Sequence, residues 1–248
     1  MSTGDFTRAE ICIVACAEAW RGDGEILASP IGLVPSLGAR LARATFAPDL
    51  LMTDGVASLV RGHGPDAVVE GWLPYRQIFD LVWSGRRHVM MGATQIDRFG
   101  NQNIGCLGDW ARPKTQLIGV RGAPGNTINH PTSYFVGQHS TRVFVPRVDF
   151  VCGVGYDRAA ALGEGARFHE IRRIVTNLAV LDFDTPDHSM RLASVHPGVT
   201  VAQVVEATGF PLVVATDVPE TRAPTAGELR LLREALDPQG LAARELGA

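Results

Sequence analysis

Near its N-terminus the chain alternates helix signals with strand signals, and no other feature constrains its fold as strongly. Thr7-x-x-Glu10 has the spacing of a capping box, in which each side chain caps the other's backbone N–H. The apolar run Ile11 to Trp20 follows, and Gly22 supplies a stop. Glu25 to Ala28 reads as a short strand, Pro35 sits just inside the start of a second helix, and Asp49 to Thr53 reads as a short buried strand. Helix and strand in alternation favour an α/β architecture, because each strand then finds a helix to cover its face.

The same pattern continues. From Pro74 the chain reads as a helix through Gln77 to Trp83, with His88 to Ala93 as a buried strand behind it. A polar loop, QIDRFGNQN, leads to a predicted strand at Gln116 to Val120, and a glycine-rich loop, RGAPGN, follows. Between Thr141 and Asp184 the runs VFV, FVCGV and LAVLDF are short and β-rich, and Met190 to Val195 alternates as one more strand. Thr200-x-x-Gln203 opens a helix closed by Gly209, and Thr225-x-x-Glu228 opens the last one. No repeat, charge block or Ser/Pro-rich linker interrupts the 248 residues, so 1–248 reads as one α/β domain with a β-rich C-terminal part.

Composition excludes several functions. With 23 Lys+Arg against 26 Asp+Glu the net charge is −3, which argues against a nucleic-acid or other generic polyanion binder. No run of about 18 apolar residues and no secretory signal is seen, so no membrane partner and a cytoplasmic location are expected. Cys12, Cys16, Cys106 and Cys152 form no C-x-x-C pair and read as reduced, structural thiols. Lys114 is the only lysine, and no G-x-x-x-x-G-K-[ST] surrounds it, which argues against nucleoside triphosphate chemistry. The seven histidines are spread singly, so no metal site is expected. There is no G-x-S-x-G elbow, and Gly153-x-Gly155 lacks the third glycine of a dinucleotide fingerprint because residue 158 is Arg.

Two loops remain. Gly122, Gly125 and Asn126 follow an apolar segment, where residues without bulky side chains let backbone amides approach an acyl oxygen or an anion. Gly, Pro and Asn are equally what a tight turn requires. Gln95, Asp97, Gly100, Asn101, Gln102 and Asn103 make either a polar network lining a site or a set of Asx-turns holding their own backbone.

Taken together, APDLLMTDG at 47–55, MGATQIDRFGNQN at 91–103, GDWARPKT at 108–115, RGAPGN at 121–126 and HPGVTVAQVVEATGFPL at 196–212 resemble the β subunit of family I CoA-transferases, in particular the glutaconate branch. The resemblance covers nearly the whole chain. It implies an open, mostly parallel sheet flanked by helices, and a homologous α subunit, in an α2β2 assembly, with an acyl-CoA substrate bound between the subunits. It implies no cofactor beyond the CoA that belongs to the substrate. In transferases of this family a β-subunit glutamate attacks the thioester, which is nucleophilic catalysis by a carboxylate.

At the matching segment this chain departs from the pattern. Met52 and Thr53 precede Asp54 and Gly55, and no glutamate occurs between Glu25 and Glu70. Asp54 is shorter than glutamate by one methylene, and a displacement of about 1 Å from the attacking geometry can cost roughly 100-fold. Loss of the glutamate looks like the branch whose paired subunits hydrolytically open the last ring of a steroid-derived CoA thioester in actinobacterial cholesterol catabolism, with a catalytic glutamate on the α subunit. On that reading no catalytic residue lies in this chain, and Thr53, Asp54, Gln95, Asp97, Asn101, Gly122, Gly125 and Asn126 are its expected substrate- and CoA-binding residues. The alternatives are a dicarboxylate CoA-transferase with Asp54 as nucleophile, and a non-catalytic ligand-binding module. No basic recognition helix supports the module.

Overall fold

The structure is a computed structural model, and the residues it describes are 6–53, 58–62, 66–74, 76–77, 80, 85–120 and 122–246. Their contacts form two compact units, Met1–Met91 with Arg222–Ala248, and Gly92–Thr221.

In the first unit, α1 (Arg8–Glu18) starts where its capping box dictates. Thr7 Oγ1 accepts from Glu10 N at 3.2 Å, and Glu10 Oε2 accepts from Thr7 N at 2.7 Å. β1 (Leu27–Pro30) leads into α2 (Leu33–Thr45), whose first turn holds Pro35. The two helices approach closely because Gly38 has no side chain: a β-carbon there would lie 2.7 Å from Cys16 Cβ. β2 (Ser58–Arg61) and β3 (Val68–Trp72) pair as an antiparallel hairpin. β4 (Arg87–Met91), buried throughout, runs parallel to β1 with Ala28 opposite His88. The His88 imidazole and the Asp23 carboxylate meet at 2.7 Å with both side chains buried, which ties the loop after α1 to β4. Asp49 to Thr53 is not a strand of its own; Leu51 and Thr53 make isolated bridges to Leu27 and Leu59. The helix expected at 74–83 lies largely outside the described residues. After residue 221 the chain returns to this unit as the helix Ala226–Leu231, a π-turn at Leu232–Leu236 and the helix Leu241–Glu245, so the helix opened by Thr225 is not the last.

In the second unit, two-residue ladders shape the polar loop. β5 (Gln95–Ile96) pairs with β6 (Gln102–Asn103), and β7 (Cys106–Leu107) pairs with β8 (Thr115–Gln116). The strand expected at Gln116 to Val120 therefore ends as it begins. The glycine-rich segment is no loop but the start of a helix, Ala123–Asn129, with Gly122 as its N-cap. β9 (Pro131–Val136) and β10 (Glu170–Thr176) are parallel, β11 (Ala179–Asp182) and β12 (Arg191–Val195) continue antiparallel, and β13 (Val213–Val214) is parallel to β12. VFV and FVCGV contribute only isolated bridges, through Phe144 and Gly153. The helix Val201–Glu206, capped by Thr200 and Gln203 as expected, packs Val204 onto Ala179, Leu192 and Val195. The α/β class stands, with parallel pairing at β1–β4, β9–β10 and β12–β13.

All four cysteines are free and buried. Burial pushes the Cys12 thiol up to about 12, so it stays protonated and unreactive at neutral pH.

Candidate functional site

The segment where the family pattern places a nucleophile is held by backbone pairing. Leu51 donates to Ile26 O and accepts from Ala28 N, both at 2.9 Å, and Met52 O accepts from Val60 N at 2.8 Å. Met52 is buried, and Thr53, half-buried, reaches the end of this pairing opposite Leu59. Asp54 lies outside the described residues.

In the second unit Gln95, Asp97 and Asn101 are brought together, and their hydrogen bonds turn inward. Asp97 Oδ1 accepts from the N–H groups of Phe99 and Asn101, each at 3.1 Å, and both its oxygens accept from Asn101 Nδ2. This is an Asx-turn closing the loop on itself. Asn101 Nδ2 also donates to Asp157 Oδ1 at 2.8 Å, and Asn101 Oδ1 accepts from Gly155 N at 2.9 Å. Burial pushes the Asp97 carboxyl up despite these donors. Gln95 Oε1 accepts from Asn103 Nδ2 at 2.7 Å and Asp149 N at 2.9 Å, while Asp149 Oδ2 accepts from Gly108 N at 2.8 Å. The motif G-V-G-Y-D at 153–157 is thus the partner of D-R-F-G-N at 97–101, a pairing that no local spacing announces.

Gly122, the N-cap of Ala123–Asn129, is exposed and Gly125 half-buried in its first turn, and the Ala123 N–H is given to Val120 O at 3.2 Å. Asn126 is buried one position later and donates its N–H to Gly122 O at 2.9 Å. Asn129 Nδ2 donates to Gly125 O at 3.0 Å.

A second polar cluster, to which sequence reasoning assigned no role, joins His139, Thr176, Thr208, His196 and Thr221. Thr208 Oγ1 donates to Val204 O at 2.8 Å and meets His139 Nε2 at 3.0 Å; His139 Nδ1 meets Thr176 Oγ1 at 3.1 Å, and that hydroxyl also reaches Ala179 O at 3.2 Å. His196 Nε2 donates to Thr176 O at 2.8 Å, and its Nδ1 meets Thr221 Oγ1 at 2.9 Å. Burial drives His139 down to about 4, so its imidazole is neutral at neutral pH. The histidine of the HPGVT motif locks strand ends together; the motif itself was the one signal that could have pointed to this cluster. Among the described residues no group of three or more His, Cys, Asp or Glu is placed to hold a metal ion. No helix among them is long and apolar enough to cross a membrane.

Comparison with known proteins places this geometry in a family. Residues 77–207 match the coenzyme A transferase family. The cholesterol ring-cleaving hydrolase IpdB subunit of Rhodococcus jostii is 54% identical over 245 residues, covering 98% of this chain and 97% of that protein. The crystal structure of Rhodococcus jostii IpdAB superposes with a TM-score of 0.93, covering 97% of this chain and 98% of that one. Glutaconate coenzyme A-transferase from Acidaminococcus fermentans matches with a TM-score of 0.80 at 25% identity, covering 94% of this chain and 96% of that one.

Proposed function

The chain belongs to the coenzyme A transferase family, and within it we propose the β subunit of a heteromeric hydrolase that opens a carbon–carbon ring bond in a steroid-derived cyclic keto acyl-CoA. The observation that carries this reading is the end-to-end likeness to the ring-cleaving hydrolase subunit, 54% identical over 98% of the chain. The chain works with a homologous α subunit, as the paired subunits of its structural relative do. We assign the assembly as α2β2 and its location as the cytoplasm.

The chemistry follows from hydrolysis beside a ketone. A base on the α subunit takes a proton from water, the resulting oxygen adds to the ring ketone, and the tetrahedral oxyanion collapses with cleavage of the adjacent carbon–carbon bond. A carboxylate forms on one side, and the carbanion on the other is protonated. No side chain of this subunit need accept CoA, in keeping with Thr53 where transferases keep glutamate. No cofactor is required beyond the CoA of the substrate. Gly122 and Gly125 present backbone donors to the thioester in this reading, Asn126, whose N–H goes to Gly122 O, supports that turn, and Thr53 and Asp54 line the substrate. Gln95, Asp97 and Asn101 hold the neighbouring loop in shape through the bonds described above.

The test is turnover of a ring-D-derived keto acyl-CoA by the purified αβ complex in oxygen-18 water. One heavy oxygen in the new carboxylate, with the thioester intact, is expected. Release or exchange of CoA without ring opening would assign a transferase instead.

A further inference from the structure

Within the first unit a cavity of about 320 Å³ opens between α2, the segment before Thr53, the end of β2 and the π-turn at Leu232–Leu236. Among the described residues its ionisable lining consists of Arg40, Arg43 and Arg61, with no acid on the wall, and Met52, Val60 and Leu236 supply apolar surface. Behind the wall, Glu70 takes Arg43 at 2.7 Å and Arg61 at 3.6 Å. Two of the three guanidinium groups therefore share one carboxylate. Arg43 is further fixed by donating to Val60 O at 2.7 Å. Arg40 makes no hydrogen bond or ion pair among the described residues and stands one helical turn from Arg43 and Ala44. Met52, one residue before Thr53, lines this cavity.

We propose that this cavity is a binding site for a small apolar carboxylate, distinct from the acyl-CoA site. The uncompensated guanidinium of Arg40 takes the carboxylate in a forked pair of charge-assisted hydrogen bonds, with the field of Arg43 and Arg61 behind it. The hydrocarbon body lies on Met52, Val60 and Leu236. The volume is at the small end for ligand pockets and equals roughly ten water volumes, which selects a short chain or a single ring over a whole CoA. Cations with an apolar floor distinguish this class from two others: inorganic phosphate would leave the apolar wall in water, and a neutral alcohol would leave Arg40 unanswered. The inference is independent of the ring-opening reading, since it uses no residue of that site.

Calorimetric titration of the αβ complex with octanoate, octanol and inorganic phosphate tests it. Octanoate is expected to bind saturably, one per β chain, with octanol and phosphate at least tenfold weaker. Arg40→Gln should weaken octanoate tenfold or more, Arg40→Lys less, and Leu236→Trp should block it by filling the cavity. Absence of saturable octanoate binding, equal binding of octanol or of phosphate by the unmodified complex, or undiminished binding by Arg40→Gln would each overturn the proposal. The comparison of the three ligands on the unmodified complex stands even if a variant fails to fold.

Discussion

A single missing β-carbon decides whether the Asp97–Asn101 loop can sit where it does. On Gly155 that carbon would lie 2.5 Å from both Asn101 N and Phe99 O, which are backbone atoms and cannot swing aside. Gly155→Ala should therefore cost about 2–3 kcal/mol or more in denaturant titration, with turnover falling as the loop is displaced. Gly165→Ala, whose new carbon would meet nothing nearer than Leu162 Cβ at 3.8 Å, should change stability little. His139 offers a second test. Its folded value near 4 lies below the ordinary 6.5, so the unfolded chain binds the proton more readily. The stabilisation is complete above about pH 6.5 and is lost as pH falls through about 4, with a magnitude of order 3 kcal/mol. His139→Asn should flatten melting temperature against pH between those limits; an unchanged slope would mean that other groups titrate there. The site was partly legible at this scale. Gln95, Asp97 and Asn101 were marked by their polarity, which equally suits a ligand or a turn, and their distant partners Asp157 and Gly155 were not legible from local spacing.

At the scale of elements, local signals were read well because they act through neighbours in sequence. All three capping boxes, at Thr7, Thr200 and Thr225, form as their spacing implied. The third also organises charge, since Glu228 pairs with Arg222 at 2.7 Å and Arg222 reaches Glu18 at 2.6 Å. Arg222 holds the Glu228 carboxyl below the usual range against the opposing effect of burial. Thr225→Ala should cost about 1 kcal/mol, read from the denaturation midpoint at constant slope. Among the strands that escaped detection, β9 and β10 did so for a tertiary reason. PTSYFV at 131–136 begins with Pro and two small polar residues yet is largely buried, and EIRRIVT at 170–176 carries two arginines in its middle. Neither alternates cleanly, because their burial is set by strands and helices distant in sequence. LIGV at 117–120 errs the other way: it has a strand's composition, yet Ile118 is 65% exposed and only residues 115–116 pair.

For the whole molecule the deciding question is where the catalytic carboxylate resides. A transferase stores CoA on a β-subunit side chain, and that acyl-enzyme thioester yields to hydroxylamine or borohydride. A hydrolase whose base sits on the α subunit leaves no such mark here. The β chain alone should thus be inert toward the keto acyl-CoA, and activity should return on adding the α subunit. Trapping during turnover should leave residues 53 and 54 unmodified by peptide mass spectrometry. Thr53→Ala should lower kcat/KM by about tenfold or less, the loss of a substrate hydrogen bond of roughly 0.5–1.5 kcal/mol. Val69 and Trp72, 64% and 71% exposed on the β2–β3 hairpin, should become protected from hydrogen exchange or oxidation if the α subunit covers that element. A hydroxamate on residue 54, together with exchange of CoA between a donor thioester and a free acid, would return this chain to the transferases and make Asp54 their nucleophile after all.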